Sequence, residues 1–154
     1  MQPMPDIDLI REVTLFLATC RTASLATHGD VGPHAANIQY VSDGALRLYW
    51  VSNPASLHSG HLAADPRAAV TIYSHTDAPD DIHGLQMRGT VAEVSGLSEW
   101  GRVWEMYSAK FPFVASAPKL IEAVRSQKFY AFTPTWLRWI DNRRGFGFKV
   151  EKQL

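Results

Sequence analysis

The sequence predicts a mainly β (α+β) fold, in which six antiparallel strands form a barrel with peripheral helices. The predicted element order, α-β-β-β-α-β-β-α-α-β, lacks the regular strand–helix alternation of a doubly wound sheet. Ser42-Asp43-Gly44 is a strong hairpin signal between two predicted strands. Apolar residues make up 46% of the 154 residues, which is enough for one full core. We therefore expect residues 1–154 to form a single domain.

The first half of the chain is predicted to contain two helices and three strands. The opening helix has Asp6 or Asp8 as its N-cap and an apolar face formed by Leu9, Ile10, Val13, Phe16, Leu17 and Cys20. A turn at residues 28–30 separates the first two strands, which are followed by a third; the three cover residues 22–27, 33–41 and 45–52. Because Asn is a favoured N-cap and Pro a favoured first helical residue, Asn53-Pro54 predicts a short helix that ends at Asp65-Pro66.

The second half is predicted to add three strands and two helices. Two strands, at residues 67–74 and 85–94, flank an exposed polar loop at residues 75–83. Ser98 is expected to cap a helix that ends before Pro112 and buries Trp100, Val103, Trp104 and Tyr107. The next helix starts near Ser116 and Pro118, with inward residues Leu120, Ile121 and Val124. Residues 129–150 return to strand, with interruptions at Pro134 and at residues 143–147.

Composition excludes several classes of protein. The 15 basic and 15 acidic residues balance, and the longest basic run is Arg143-Arg144, so no nucleic-acid-binding surface is expected. The single cysteine, Cys20, cannot form an internal disulfide and is expected to be a buried, inert thiol. Arg11 and Glu12 interrupt the first apolar stretch, so we expect a cytoplasmic protein without a signal peptide or membrane association. The low charged fraction, 19%, and the many aromatic residues predict a homodimer.

The strongest candidate site lies at the start of the predicted short helix. A helix N-terminus with a hydroxyl such as that of Ser56 favours anion binding, and His58 and His61 are three residues apart on one helix face. The alternative is that Ser56 only caps the helix and both histidines are solvated. No acidic or cysteine ligand is near these histidines in sequence, so we expect no metal site.

Residues 141–149 form a second candidate. Arg143, Arg144 and Lys149 can reach an anionic ligand across a dimer interface, whereas the alternative is a bulged hairpin with two phenylalanines in the core. The sequence contains no Gly-x-Ser-x-Gly, no Walker loop and no Rossmann glycine fingerprint. We assign no catalytic acid, base or nucleophile from the sequence.

Several segments together resemble the pyridoxamine 5'-phosphate oxidase-like family of FMN-binding split barrels. They are the hairpin around Ser42-Asp43-Gly44, the run Ser52-Asn53-Pro54-Ala55-Ser56-Leu57-His58 followed by Asp65-Pro66, and the strand Met87-Arg88-Gly89-Thr90-Val91-Ala92-Glu93-Val94. Asp141-Asn142-Arg143-Arg144-Gly145-Phe146-Gly147-Phe148-Lys149 resembles the closing signature of the uncharacterised YhbP-like subfamily. The resemblance implies a six-stranded antiparallel split β-barrel of Greek-key type.

The resemblance also implies a site. It places FMN at the interface of a homodimer, with its phosphate at Ser56 and His58 and with Gln86 and Arg88 where the fifth strand faces the cofactor. We expect Trp139, Arg143 and the loop at residues 75–83 to line the space for a substrate on the exposed flavin face. The isoalloxazine is expected along the second and third strands, near Asn37, Ile38, Gln39, Tyr40, Val51 and Ser52.

The chain departs from the family pattern at its cationic positions. Ala35 and Ala36 occupy the region of the strand arginine, Gln39 or Tyr40 that of the strand lysine, and His58 replaces the lysine after the serine. We therefore expect a flavin-dependent oxidoreductase with an unknown small-molecule substrate, but not a strict pyridoxamine phosphate oxidase. The alternative is a non-enzymatic binding or sensing module for flavin, haem or another planar ligand. Among cofactors we expect FMN ahead of a deazaflavin or haem.

Overall fold

A computed structural model of the chain describes residues 5–154, in which eight strands form one antiparallel sheet. The strands are β1 (Thr22–Gly29), β2 (Gly32–Gln39), β3 (Val41–Ser42), β4 (Leu48–Ser52), β5 (Arg67–Tyr73), β6 (His83–Glu93), β7 (Lys128–Asp141) and β8 (Lys149–Gln153). The helices are α1 (Asp6–Thr19), α2 (Leu57–Ala64), α3 (Leu97–Lys110), α4 (Phe113–Ser116) and α5 (Pro118–Arg125). No helix in residues 5–154 is long and apolar enough to cross a membrane.

The sheet closes into a split barrel through one continuous piece of chain. The strand order is β2-β1-β5-β6-β7-β4-β3, with β8 beside β7. The two ends of this order, β2 and β3, are separated in sequence only by Tyr40. The chain therefore pairs with β1 up to Gln39 and with β4 from Val41 onward. The predicted fold class is confirmed.

The strand count of six is corrected to eight. The predicted second strand divides at Tyr40, and a 3-10 turn over Asn142–Arg144 separates β7 from β8. The hairpin signal is real but short, because only Val41 and Ser42 pair with Tyr49 and Leu48. The rest of the predicted second strand pairs with β1 across a turn at residues 30–31, slightly later than the turn expected at 28–30.

Pro134 does not interrupt β7 as expected. The ladder between β6 and β7 shifts register between Arg88 and Gly89, and Gly89 lies opposite Pro134. A Cβ on Gly89 would lie 2.1 Å from the carbonyl oxygen of Thr133, so the strands approach too closely there for any side chain. The bulge accommodates the missing proline N–H, and the strand continues through it.

The helices pack as expected, but three of their predicted caps are wrong. α1 begins after Pro5 and α3 after Gly96, without a capping side chain, and Ser56 rather than Asn53 caps α2. Gly96 has φ 85°, a conformation that favours glycine. The predicted inward faces of α1 and α3 hold, whereas Leu120 of α5 is 40% exposed.

Two apolar clusters hold the elements together. The first fills the barrel and includes Leu9, Val13 and Leu17 of α1. The second lies between the outside of the barrel and helices α3 to α5, and Tyr49 is fully buried in it. Cys20 is only partly buried, and burial raises the pKa of its thiol, which keeps it protonated and unreactive at neutral pH.

Candidate functional site

The start of α2 is organised by serine side chains. The Asn53 side chain accepts a hydrogen bond from the amide of Ala55 (2.9 Å), which forms a turn and delays the helix until Leu57. The Ser56 hydroxyl oxygen then accepts from the amide of Ser59 (3.3 Å), as an N-cap does. Within residues 5–154, the amides of Leu57 and His58 have no hydrogen-bond acceptor and remain available to a ligand.

Ser52, Ser56 and His58 converge at this helix start. His58 Nε2 lies 2.7 Å from the hydroxyl oxygen of Ser52 and 3.2 Å from that of Ser56. The two hydroxyl oxygens are 3.4 Å apart. With the proton on Nε2, His58 donates to the Ser52 oxygen and leaves the Ser52 hydroxyl proton free to bind an anion, whereas the Ser56 hydroxyl donates to Ser59. These three predicted residues therefore form one donor cluster, which we call the α2 cluster.

Two further histidines lie behind the α2 cluster. The His61 Nδ1 atom is 3.0 Å from the hydroxyl oxygen of Thr27, and its ring stands 5.8 Å from the ring of His34. Gly29 makes room for His61, because a Cβ on Gly29 would lie 2.2 Å from His61 Nε2. Burial lowers the pKa of His58 below its ordinary value of 6.5, and His34 and His61 lower it further. His58 is therefore mainly neutral at pH 7 in the free protein.

No metal site emerges from these side chains. Across the described part of the chain, no group of three or more His, Cys, Asp or Glu residues converges in a way that could hold a metal ion.

Asn37 and Gln86 lie on the outer face of the sheet, in one row that crosses it from strand to strand. Cross-strand partners place its members side by side in the order Asn37, Ser24, Thr71, Gln86, Arg138 and Glu151. Ser24 donates to the side-chain oxygen of Asn37 (3.1 Å), and Arg138 donates to Gln86 (3.4 Å) and to Glu151 (2.6 Å). We call this set the polar row.

Three predicted cofactor residues point into the barrel instead. Ile38, Tyr40 and Trp139 are 6%, 0% and 1% exposed, because the side chains of each strand alternate between core and outer face. The Tyr40 hydroxyl donates to the carbonyl oxygen of Leu17 (3.0 Å), which ties the strand to the end of α1. Their side chains are therefore occupied by packing.

The remaining predicted residues are dispersed. Gln39 is exposed on β2, and Val51 packs against the second apolar cluster. Arg143 binds the buried carboxylate of Asp141, with Nε 2.7 Å from Oδ1. Arg143 and Trp139 line one cavity of about 340 Å³ between α1 and the sheet, and none of its lining residues belongs to the α2 cluster.

Sequence reasoning did not find the supporting residues of the α2 cluster. Ser59 is 3% exposed and accepts a 2.8 Å hydrogen bond from the Ser56 hydroxyl. The sequence could have predicted this contact, because Ser56 and Ser59 have the spacing at which an N-cap side chain contacts the third residue of a helix. His34 gave no comparable signal, since the Ala-Ala-Asn sequence after it does not reveal which face of the strand is buried.

Comparisons with known proteins give one family match and several similar folds. The model of the family described as pyridoxamine 5'-phosphate oxidase matches residues 9–140. A heme-binding protein from Mycobacterium smegmatis superposes with a TM-score of 0.78 and 16% identity, over 99% of this chain and 59% of that protein. HutZ, the heme storage protein from Vibrio cholerae, gives a TM-score of 0.65 and 16% identity over 85% of this chain and 91% of its own.

A third similar structure is a protein from Clostridium acetobutylicum, related to general stress protein 26 and described as of the pyridoxinephosphate oxidase family. It superposes with a TM-score of 0.70 and 13% identity over 97% of each chain. At these identities the superpositions establish the fold alone. No curated protein sequence matches the chain.

Proposed function

The chain belongs to the pyridoxamine 5'-phosphate oxidase family, and from this premise we propose that it binds FMN and acts as a flavin-dependent oxidoreductase. The α2 cluster is the observation that carries the proposal. Two serine hydroxyls, one imidazole and two free helix amides meet at one point. This donor set suits a phosphate, because hydroxyls, amides and helix N-termini all favour an anion.

The α2 cluster fits the phosphate group with fewer cations than a phosphate site usually has. Within residues 5–154, no Lys or Arg side chain hydrogen-bonds to Ser52, Ser56 or His58. His58 is therefore the residue that can supply a positive charge, by taking up a proton when the anion binds. For this reason we do not propose that the protein is a strict pyridoxamine phosphate oxidase.

The chemistry of such a protein is divided between cofactor and chain. A bound flavin supplies hydride transfer, whereas the protein binds, orients and shields it. We propose that the α2 cluster holds the phosphate and that the side-chain amides of exposed Asn37 and Gln39 and of half-buried Gln86 face the ring edge or a substrate. We assign no residue the role of a catalytic acid or base.

We further propose that the protein is a homodimer with the cofactor at the subunit interface. Leu57, directly after Ser56, is 55% exposed and would be covered by a partner. A second subunit would also complete a site that is open on one side in the single chain.

Fluorescence titration of FMN with purified protein tests the proposal. Flavin emission changes on binding, and a Ser56→Ala, His58→Ala double variant should bind at least about ten-fold more weakly, since each charge-assisted hydrogen bond contributes about 1.5–3 kcal/mol. Ser95→Ala with His75→Ala is the matched control, because both residues are exposed and, within residues 5–154, neither hydrogen-bonds to a residue of the α2 cluster. If circular dichroism shows that the Ser56→Ala, His58→Ala variant is folded and its affinity for FMN is unchanged, the phosphate binds elsewhere.

Haem is the second candidate, and two observations favour it. Two of the similar structures are described as heme-binding or heme storage proteins, and three imidazoles, of His34, His58 and His61, lie close together here. Addition of hemin should then produce a shifted Soret band that weakens in a His58→Ala or His61→Ala variant. Flavin absorption bands in the purified protein, with no Soret shift on hemin addition, would decide for FMN.

A further inference from the structure

The cavity of about 340 Å³ between α1 and the sheet is lined by two side chains whose buried polar atoms have no partner. Trp139 is 1% exposed, and its indole Nε1–H meets no acceptor within residues 5–154. The Oε2 atom of Glu12 is buried without a donor in the same range, whereas its Oε1 atom accepts from Arg144. A buried polar atom without a partner is costly, so both atoms favour a ligand that pairs with them.

His83 adds a third hydrogen-bonding group to this cavity, and its neighbour fixes the position of its proton. Its Nδ1 atom lies 2.8 Å from the carbonyl oxygen of Asp81, which can only accept, so Nδ1 carries the proton. With the ring neutral, Nε2 is then an acceptor, and no described residue hydrogen-bonds to it. The cavity therefore offers one donor, on Trp139, and two acceptors, on Glu12 and His83.

The charges in the cavity wall are already paired. The carboxylate of Glu12 pairs with Arg144, and the guanidinium of Arg143 pairs with the buried carboxylate of Asp141. An ionic ligand would lose its hydration here without gaining a free counter-ion, so the cavity favours a neutral ligand.

The rest of the wall suits a ring. Leu15 and Phe16 of α1 are apolar, and the Phe16 ring centroid lies 5.1 Å from that of Trp139. Leu15 is 59% exposed, so the cavity opens to solvent on that side. A dry cavity of about 150 Å³ is large enough for benzene. This larger one accommodates a benzene ring together with a polar substituent.

We propose that this cavity is a binding site for a small aromatic primary amide. Such an amide has two N–H donors and one carbonyl acceptor, which match the two acceptors and one donor of the wall. A carboxylate has no N–H for Glu12, and an ammonium has no acceptor for the indole of Trp139. The proposal uses none of the residues of the α2 cluster and does not rest on FMN binding.

NMR titration of the full-length, nitrogen-15-labelled protein with benzamide tests the site. The five tryptophans give five indole N–H signals, and Trp139→Phe identifies that of Trp139. If Trp139→Phe does not fold, phenylalanine variants of the other four identify the signal by elimination. Benzamide should move this signal downfield, because its carbonyl oxygen accepts from the indole. Acetophenone keeps the carbonyl but has a methyl group in place of the NH2, and it should bind about ten-fold more weakly.

Glu12→Gln tests the acceptor directly. Arg144 still binds the side-chain oxygen of the glutamine, so the amide nitrogen takes the place of Oε2 and an acceptor becomes a donor. The preference for benzamide over acetophenone should fall from about ten-fold to about two-fold, because only the contact with His83 remains. Glu93→Gln is the matched control, since it removes the same charge and one ion pair, with Lys128, outside the cavity.

Each outcome decides for or against the site. A shift of the Trp139 signal, with a preference for benzamide that Glu12→Gln loses and Glu93→Gln keeps, supports the proposal. No shift of that signal, equal affinities for the two probes, or an unchanged preference in Glu12→Gln overturns it. Excess FMN should leave the benzamide shift unchanged. Displacement of benzamide by FMN would assign the cavity to the flavin and overturn the proposal, whereas FMN binding itself is measured separately by flavin fluorescence.

Discussion

Replacing His58 with lysine is expected to tighten FMN binding at pH 8 by about ten-fold, and by less at pH 6. Burial and the imidazoles of His34 and His61 lower the pKa of His58 below 6.5, so the free protein has a neutral His58 at pH 8. A lysine there keeps its charge, because its ordinary pKa is near 10.4. The variant therefore adds a cation to the proposed phosphate site without moving the two serines.

The magnitude follows from the geometry of the α2 cluster. His58 Nε2 lies 2.7 and 3.2 Å from the two serine oxygens, so a phosphate oxygen bound to those hydroxyls lies about 4 Å from it. Two unit charges at 4 Å attract each other by about 1 kcal/mol in water and about 4 kcal/mol near a protein surface. The lower part of this range suits a half-buried site, and about 1.4 kcal/mol corresponds to ten-fold.

The assay is fluorescence titration of FMN with the parent, His58→Lys and His58→Gln at pH 6, 7 and 8. Anion binding raises the pKa of His58, so parent affinity should fall as the pH rises through that pKa. Protonation of the FMN phosphate affects both proteins equally, because both bind the same ligand. The ratio of the dissociation constants of the parent and His58→Lys therefore reports the charge at position 58 alone. A His58→Lys variant that binds no better than the parent at pH 8 would refute the role of charge. The glutamine variant then reports the neutral hydrogen bond alone.

Three further predictions concern the scaffold. Gly89→Ala should lower the free energy of unfolding by about 1–3 kcal/mol, because its Cβ would lie 2.1 Å from the carbonyl oxygen of Thr133. Urea denaturation measures this loss. Gly101→Ala in α3 is the control and should not lower the free energy of unfolding, because its Cβ meets open space. Asp43→Asn should cost about 1–3 kcal/mol at pH 7. Burial alone would raise the pKa of Asp43, but hydrogen bonds from Tyr49, Arg47 and Ala45 outweigh it and hold that pKa below its ordinary value. The stability that the Asp43 carboxylate contributes is therefore complete above the unfolded pKa near 3.8 and is lost as the pH falls through the lower folded pKa. An Asp43→Asn penalty that stays constant as the pH is lowered from 7 to well below 3.8 would contradict this reasoning. Light scattering should give about twice the chain mass of 17.2 kDa, and a monomer at micromolar concentration would rule out the dimer.

Residues that act locally could be predicted from the sequence. The faces of α1 and α3, the hairpin at Asp43 and the helix start near Ser56 all depend on contacts within a few residues. The family is established, whereas the narrower resemblance to the YhbP-like subfamily and the individual site residues stay predictions.

Residues that depend on register could not be predicted. Whether Ile38 and Tyr40 point inward is decided by the pairing of β2 with β1, and the weakly alternating sequence around Ala35, Ala36 and Asn37 does not encode that choice. The interruption expected at Pro134 failed for a similar reason, because the bulge that accommodates it lies opposite, on β6. Ser52 was expected beside the isoalloxazine, and the turn at Asn53 instead brings its hydroxyl within 2.7 Å of His58.

The joint at Tyr40 has a consequence for folding kinetics. Ser52 pairs with Lys128 and His61 contacts Thr27, so β4 and α2 reach their final places only after strands from both ends of the sequence have assembled. Closure of such long loops is slow, since chain entropy is lost before distant contacts compensate for it. Binding of the proposed FMN during refolding should therefore lag behind the formation of secondary structure. Flavin fluorescence would then report the last step of barrel closure.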